Sequence, residues 1–420
     1  MTLLIKQATI VDSRSKYNGQ TVNIFIENGV IKIIGSEYYS AETEIDAKGA
    51  FVSIGWFDMR TSLCDPGLEH KETLLTGTNA AMAGGFTGIA CLPDTKPIIQ
   101  NKDTISYIKS STKDFLVDVF PIAALTHDLK GEELSEMMEL QQAGAVAFTD
   151  GNNPVWHSGV LVRALQYLQP INGLIIQHAE EKKLTQYGQM NEGVTSTYLG
   201  LKGIPAIAEE LMISRDIELL QYAEGKIHFS RISTKGSVEL IRQAKKKGLH
   251  ITCDVAVPNL VFDDGVLTTF DSNYKVNPPL RTTEDIKVLW KGLEDGTIDV
   301  IVTDHCPQDE ESKNLEFDQA EFGMTGLETA FSALLKAMPS KFAIENLIEK
   351  ISISPRQILG LSVPKIAEGE LANLTIFSED MEWGYDTATM KTKSKNSPFL
   401  NQILVGKALA VVNNNQVFIT

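Results

Sequence analysis

The sequence predicts an α/β fold, a (β/α)8 (TIM) barrel that carries a small β-sandwich domain built from both ends of the chain. Two observations lead to this prediction. Eight apolar runs of strand type alternate with helical patterns through the middle of the chain, and short strands with tight turns fill both ends. We therefore assign residues 1–52 together with 365–420 to the β-sandwich, and residues 53–364 to the barrel.

The two ends of the chain share one pattern. Near the N-terminus, strand-like stretches cover residues 3–11 and 22–35, and the second contains Asn28-Gly29, a dipeptide typical of tight hairpin turns. The C-terminal segment shows similar strands and a turn around residues 413–415. We expect the two ends to build one small domain together.

The apolar runs of the middle segment are separated by helical patterns, as a barrel of parallel strands requires. In the segment SVELIRQAKKKGLH, for example, Val238, Ile241 and Ala244 share one helical face, and Gly248 follows as a stop signal. The eight runs are FVSIGWFDM, GFTGIACLPD, VDVFPIAALT, GAVAFTDG, GLIIQHAE, KIHFSRIS, HITCDVAV and DVIVTDHCP.

Composition and charge favour a globular protein and argue against two kinds of partner. With 420 residues, 43% hydrophobic and 22% charged, the chain is predicted to bury one large core and a smaller one. The formal net charge of −16 argues against nucleic acid and against an anionic membrane as partners, because both would repel it. The N-terminus lacks the pattern of a secretion signal and no apolar run reaches about eighteen residues, so we expect a cytoplasmic location.

The four cysteines are widely spaced and include no CxxC pair. This spacing argues against both a disulfide framework and a thiolate zinc site, so we expect reduced thiols. The cysteines are Cys64, Cys91, Cys253 and Cys306.

Polar side chains follow the predicted barrel strands. In barrels of this kind the chemistry lies at the C-terminal ends of the strands, so a concentration of polar groups there predicts a site. The residues at these ends are Arg60, Asp94, Thr126, Asp150, His178, Arg231, Asp254 and Asp304.

Several long motifs, in order along the whole chain, resemble those of bacterial dihydroorotases of the long, multifunctional-complex type, which belong to the amidohydrolase superfamily. This resemblance implies reversible closure of dihydroorotate from carbamoyl aspartate in pyrimidine biosynthesis, by a metal-activated hydroxide and an aspartate general base after strand eight. The motifs include GFTGIACLPDTKP, MNEGVTSTYLGLKGIPAIAEE, STKGSVELIR, YKVNPPLRTTEDI, GTIDVIVTDHCP and FGMTGLETA.

The resemblance also implies where the metal ligands would lie, and most of these positions have changed. The strand-five histidine and the strand-eight aspartate remain, as His178 and Asp304. A guanidinium has no lone pair to offer a cation, and two surviving ligands are fewer than a divalent site normally uses. We therefore expect no bound metal or other cofactor. The changed positions hold Arg60, Ser62, Gly151 and Arg231.

A weak single-metal site stays open as an alternative. It would be held by His178, Asp304 and Asp150, if the last of these turned towards the other two. Each surviving ligand also has a second interpretation. His178 is a ligand or a hydrogen-bonded structural residue, and Asp304 is a working base or a charge partner.

The positions that would bind the substrate carboxylate, according to the resemblance, have changed independently of the metal ligands. They hold Cys64, Asp94 and Gln308. Loss of an arginine removes a bidentate ion pair with a carboxylate, and Asp94 adds repulsion between like charges. Asn277, in the strand-seven loop, is a remnant whose use in substrate binding stays open.

The two new arginines suggest how the site compensates for a lost cation. Carboxylates buried at the barrel mouth would otherwise have no partner. We expect Arg60, Arg231 or both to pair with Asp304, so that cations of the protein itself stabilise the carboxylate.

Two hypotheses about function follow. The favoured one is a noncatalytic dihydroorotase homologue with an assembly or regulatory role, as a homodimer or in a complex with a pyrimidine-pathway enzyme such as aspartate transcarbamoylase, a partner that the resemblance implies. The alternative is an active cyclic amide hydrolase, a dihydroorotase or related ureide hydrolase, with an altered or single-metal site. Metal-free water keeps a pKa of about 15.7 instead of about 7, which favours the first hypothesis.

Overall fold

The computed structural model describes all 420 residues. The strands in chain order are β1 (Thr2–Val11), β2 (Thr21–Glu27), β3 (Val30–Gly35), β4 (Thr43–Asp46), β5 (Phe51–Ile54), β6 (Trp56–Thr61), β7 (Phe86–Cys91), β8 (Asp118–Pro121), β9 (Ala123–Ala124), β10 (Phe148–Thr149), β11 (Ile175–His178), β12 (Met190–Asn191), β13 (Gly203–Ile204), β14 (Ile227–Ser230), β15 (Ile251–Ala256), β16 (Val300–Val302), β17 (Leu374–Tyr385), β18 (Gln402–Asn413) and β19 (Gln416–Ile419).

The α-helices in chain order are α1 (Leu74–Ala83), α2 (Lys102–Thr112), α3 (Met137–Ala143), α4 (Ser158–Leu168), α5 (Lys182–Thr185), α6 (Val194–Leu199), α7 (Ala206–Ala223), α8 (Lys235–Lys246), α9 (Val257–Val261), α10 (Thr283–Glu294), α11 (Glu310–Lys313), α12 (Ala330–Ala337), α13 (Ile344–Ile348) and α14 (Ser354–Ile358). None of them is both long enough and apolar enough to pass through a bilayer.

Both ends of the chain contribute to one eight-stranded sheet. Its order is β19-β18-β17-β5-β1-β2-β3, and β4 pairs with β1. The ends meet where β17 runs antiparallel to β5, with Leu374 opposite Ile54. Ile24 and Ile31, from one end of the sheet, share an apolar core with Val412 from the other. The sheet therefore wraps around its own core and forms the expected β-sandwich.

The barrel strands are β6, β7, β8 with β9, β10, β11, β14, β15 and β16, and neighbouring strands run parallel. The first and last of them close the barrel. Thr61 bridges His305, and the Thr303 N–H donates to Asp58 Oδ1 at 2.8 Å. The third strand is split into β8 and β9 beside Pro121, which has no N–H for the hydrogen-bond ladder.

The helices form as the apolar spacing predicts. The side chain of Thr234 caps α8 by accepting from the Ser237 N–H, and Val238, Ile241 and Ala244 are buried against the barrel. The chain after α8 turns at Gly248, whose φ of +79° is readily adopted by glycine. The predicted (β/α)8 barrel with a β-sandwich is confirmed, whereas the domain boundaries at residues 52/53 and 364/365 stay predictions.

Candidate active site at the barrel mouth

An ion pair joins the first and last barrel strands at the mouth. Arg60 lies near the end of β6 with only 2% of its surface exposed, and its Nε donates to Asp304 Oδ1 at 2.8 Å. Asp304 follows β16 with a φ of +51°, a conformation that non-glycine residues seldom adopt. The left-handed backbone at this strand end thus belongs to the residue whose carboxylate binds Arg60.

A second arginine reaches the same carboxylate. Arg231 follows β14, also with a positive φ of +58°, and its Nη1 lies 3.3 Å from both oxygens of Asp304. Burial lowers the pKa of Arg231, and the charge of Arg60 lowers it further. The expected pairing is confirmed for both arginines, and the contact with Arg60 is the shorter.

Asn152 links the two guanidiniums, a role that the sequence did not predict. Its Oδ1 accepts from Arg60 Nη2 at 2.7 Å and from Arg231 Nη2 at 2.9 Å. The residue lies in the loop after β10, next to Gly151, which has a φ of +66°. Only the position of Asn152 just beyond a strand end could have signalled this contact.

His178, at the end of β11, uses both ring nitrogens in contacts with the protein. Nε2 lies 3.0 Å from Glu180 Oε2, and Nδ1 lies 3.2 Å from Arg231 Nη2. Because an arginine can only donate, Nδ1 is the acceptor and Nε2 carries the proton. Burial, with help from the charge of Arg231, lowers the pKa of His178 to about 4. His178 is therefore a neutral imidazole whose lone pair faces a cation.

Glu180 accepts hydrogen bonds from several residues on the His178 side of the mouth. The sequence analysis did not identify it. It accepts from Thr185, from Lys182 Nζ at 3.1 Å and from Asn277 Nδ2 at 3.1 Å, in addition to His178. Burial alone would raise the pKa of Glu180, but His178, Lys182 and Thr185 lower it. Its spacing of two residues from His178 was the available signal, since such residues face the same side of an extended chain.

Asp150 and Asp254 accept hydrogen bonds from backbone N–H groups of neighbouring barrel segments. Asp150 Oδ1 accepts from the N–H groups of Leu125 and Thr126 at 3.1 and 2.9 Å, and its other oxygen accepts from the Thr126 hydroxyl. Burial raises the pKa of Asp150 to about 6. Asp254 contacts His228 Nε2 at 2.8 Å and accepts from the Arg231 N–H at 2.6 Å. The structure therefore does not bring Asp150 together with His178 and Asp304.

Of the three positions that the resemblance assigns to the substrate carboxylate, Cys64 follows β6, Asp94 follows β7 and Gln308 follows β16. Ser62 donates to Asp94 Oδ2 at 2.6 Å, and burial raises the pKa of Asp94. Burial likewise raises the pKa of the Cys64 thiol. Gln308 accepts from Lys71 Nζ at 2.6 Å, a cation that the sequence analysis did not identify. Lys71 thus contacts Gln308, which stands where the resemblance implies a group that binds the substrate carboxylate.

The residues present do not fit the metal centre that the family resemblance implies. No three His, Cys, Asp or Glu side chains come together in a geometry that could hold a metal ion. The lone pair of His178 Nδ1 faces Arg231, and Asp304 is bound by two guanidiniums. A cation placed here would meet two positive charges in place of ligands.

A polar cavity of about 400 Å³ opens above the ion pair. Arg231, Asp304, Asn277 and Gln308 contribute to its lining, and only four of its eighteen lining residues are hydrophobic. Its size suits a small molecule, and its walls suit a polar one.

Two buried lysines hold the segment 314–323, of which Glu321, Phe322 and Gly323 line this cavity. Lys275 Nζ donates to the carbonyls of Phe317 and Ala320, both at 2.6 Å, and Lys313 Nζ donates to that of Glu321 at 2.9 Å. Burial lowers the pKa of each of these lysines to about 8. Two lysine ammonium groups therefore hold segment 314–323 in place by hydrogen bonds to its main-chain carbonyl oxygens.

Comparison with solved structures supports the fold. The chain is similar to the L-hydantoinase (dihydropyrimidinase) of Arthrobacter aurescens, with a TM-score of 0.86, 24% identity, and coverage of 99% of this chain and 95% of that one. A D-hydantoinase (dihydropyrimidinase) from a Thermus species gives a TM-score of 0.82 at 22% identity, with coverage of 99% and 95%. At such identities the likeness concerns the architecture alone.

Comparison of sequences identifies the family. A family model described as dihydro-orotase-like matches residues 49–237. Proteins named "Dihydroorotase" from Trichlorobacter lovleyi and Geotalea daltonii are 41% and 42% identical, each covering 99% of both chains. These names favour the catalytic alternative and give no support to the noncatalytic hypothesis. At this identity and coverage the relatives show the family: the chain belongs to the dihydroorotase-like family of amidohydrolases.

Proposed function

We propose that this dihydroorotase-family protein acts in pyrimidine biosynthesis without metal-dependent catalysis, in an assembly or regulatory role. The observation that carries this proposal is the contact of Arg60 Nε with Asp304 Oδ1 at 2.8 Å. The carboxylate that would have to accept a proton is instead the acceptor of two guanidiniums. Both of its oxygens already accept from guanidinium N–H groups, so in this arrangement neither is free to take a proton from a substrate.

The chemistry of the nucleophile leads to the same proposal. In metal-dependent amide hydrolysis the attacking group is hydroxide, which a metal ion supplies by lowering the pKa of bound water from about 15.7 to about 7. At the mouth of this barrel the neighbouring groups are Arg60, Arg231 and a neutral His178 whose lone pair is used. None of these groups ligates a cation in its present contacts.

A second candidate function is supported by the relatives. Curated proteins named "Dihydroorotase" match at 40–43% identity over nearly the whole chain. A chain this similar could retain hydrolysis of a cyclic amide through rearrangement of His178, Asp304 and Asp150 around one metal ion. This alternative requires that Asp304 leave both arginines, so a substitution at Asp304 separates the two candidates.

The test is an assay in both directions, ring closure of carbamoyl aspartate and opening of dihydroorotate, on the purified protein with and without added zinc. Wild type and Asp304→Asn should both lack turnover if the proposal is correct. Turnover in wild type that Asp304→Asn removes would establish the second candidate and would refute the noncatalytic role.

The assembly role has its own test. We propose either a homodimer or a complex with aspartate transcarbamoylase from the same organism. Light scattering behind size-exclusion chromatography, on this protein alone and on an equimolar mixture of the two, measures both. A monomer that does not associate with the enzyme would refute the assembly role, whatever the result of the activity assay.

A further inference from the structure

A second cavity opens at the end of the barrel opposite the mouth, where three of the parallel strands begin. Its volume is about 480 Å³, compared with about 400 Å³ for the cavity at the mouth, and the two share no lining residue. The helix-to-strand connections before β11, β14 and β15 all contribute to its lining. Each connection turns through a residue of positive φ: Asn172 at +53°, Gly225 at +103° and Gly248 at +79°. A cavity of this size suits a small molecule.

The buried part of the lining is apolar. It consists of Leu165 and Leu168 on α4, Leu220 on α7 and Ile175 at the start of β11. The carbonyl oxygens of Leu168 and Leu220, at the ends of their helices, already accept from main-chain N–H groups of the following turns. Any polar recognition in this cavity therefore depends on side chains.

Three ionisable side chains line the cavity, and none of them takes part in an ion pair. They are Glu224, Lys226 and His250. Lys226 is half-buried and also lines an adjoining cavity of about 370 Å³, so its side chain lies where the two cavities meet. Charges of both signs are thus available to a ligand beside an apolar surface.

We propose that this cavity binds a large apolar α-amino acid, such as phenylalanine, as the zwitterion. The side chain of the ligand packs against Leu165, Leu168 and Leu220, where it displaces water from apolar surface. The carboxylate accepts a charge-assisted hydrogen bond from Lys226, and the ammonium donates one to Glu224.

The two signs of charge favour this ligand over simpler ones. An apolar monocarboxylate would leave the Glu224 carboxylate without a partner and close to a second negative charge. An apolar amine would leave Lys226 in the corresponding position. A zwitterion provides a partner for each. The inference does not rest on the proposed function, because this cavity and the mouth lie at opposite ends of the barrel strands.

The experiment is calorimetric titration of the full-length protein at pH 7 with L-phenylalanine and three analogues. We expect L-phenylalanine to bind at one site per chain. 3-Phenylpropanoate lacks the ammonium, phenethylamine lacks the carboxylate and glycine lacks the apolar side chain. Each analogue should bind about tenfold more weakly or worse, because each loses one of the three contacts.

Two variants and one control assign the binding to this cavity. Lys226→Met and Glu224→Gln each remove one charge at nearly constant side-chain size, and each should weaken binding of L-phenylalanine about tenfold or more. Neither residue is in an ion pair, so neither variant leaves a buried charge without its partner. Lys182→Met removes a lysine that lines the mouth cavity instead, and it should bind as wild type does.

Four results would overturn the inference. They are no binding of L-phenylalanine, equal binding of 3-phenylpropanoate or phenethylamine, unchanged binding by Lys226→Met, and loss of binding in Lys182→Met. The second result would mean a ligand with a single charge, and the last would mean a ligand at the mouth. None of these measurements involves turnover of dihydroorotate, so failure here is distinct from failure of the proposed function.

Discussion

Arg60 Nε and Asp304 Oδ1 lie 2.8 Å apart and connect the first strand of the barrel with the last. Both side chains lie at strand ends, at positions to which the family resemblance assigns a metal-binding histidine and a general base. The contact places a protein cation where the family resemblance implies a metal ion. Folding stability, its dependence on pH and the affinity for metal ions should all reflect the presence of this arginine in place of a metal ion.

Substitution of Arg60 should be strongly destabilising. Arg60→Gln leaves Asp304 with only the 3.3 Å contacts to Arg231. Removing one partner of a buried ion pair typically costs about 3–5 kcal/mol, and we expect the lower part of that range because Arg231 remains. Urea unfolding, monitored by circular dichroism, measures the loss.

The matched control is Arg242→Gln, which removes a more exposed arginine bound to Glu239 and Asp295. Exposed pairs contribute about 0–1 kcal/mol, so this variant should stay close to wild type. Equal losses for the two variants would mean that Arg60 does not compensate a buried charge.

The pH dependence of stability should contain a contribution from His178. Its pKa is lowered from 6.5 to about 4 in the folded protein, so below pH 6.5 the unfolded chain binds a proton that the folded one excludes. Above pH 6.5 His178 causes no loss of folding stability. As the pH drops to 4, the free energy of unfolding falls by up to about 3 kcal/mol because of this group.

Other groups oppose this trend. Burial raises the pKa of Asp150 and of Asp216 to about 6, so their protonation favours the folded state over the same range. The informative quantity is therefore the difference between wild type and His178→Gln in unfolding free energy, measured at several values from pH 7 to 4.5. A constant difference across that range would show that His178 does not resist protonation.

The strand ends were predictable from the sequence because strand periodicity and barrel topology determine which residues face the mouth. Arg60, His178, Arg231 and Asp304 were identified in this way, and the pairing with Asp304 followed from charge balance. The preferred partner of Asp150 could not be predicted. Its carboxylate turns to the main chain just after the third strand, at Leu125 and Thr126, a contact that no periodicity in the sequence signals.

Two of the missed residues lie in loops. Asn152 and Lys71 reach the mouth from segments whose course depends on tertiary contacts rather than on sequence periodicity. Lys275 and Lys313 were missed for a different reason. Lysine is rarely buried, and only the fold shows the carbonyl groups that accept from their ammonium groups.

Restoring the implied ligands should restore metal binding. The quadruple variant Arg60→His, Ser62→His, Gly151→Asp and Arg231→His would add three imidazoles and a carboxylate next to His178 and Asp304. A cation then meets ligands instead of guanidiniums, so we expect zinc to bind stoichiometrically. Zinc content after dialysis measures this. A folded quadruple variant that binds no more zinc than wild type would show that the arginines are not what excludes the metal.

Loss of a buried lysine should loosen the wall of the cavity. Lys275→Met removes the donor to the carbonyls of Phe317 and Ala320 and leaves both acceptors without that partner. We expect faster hydrogen exchange in residues 314–323, measured by mass spectrometry, while the barrel strands keep their protection. Lys341→Met, at an exposed lysine, is the control and should exchange as wild type does. Unchanged hydrogen exchange of residues 314–323 in Lys275→Met would refute the proposed role of Lys275 in holding this segment.

The central claim is that Arg60 and Arg231 occupy the electrostatic place of a metal ion. The most direct measurement is the metal content of the wild-type protein, by elemental analysis after saturation with zinc and dialysis, on the same sample that is assayed with dihydroorotate. We expect substoichiometric zinc and no turnover. One or two tightly held zinc ions per chain, together with turnover, would contradict it.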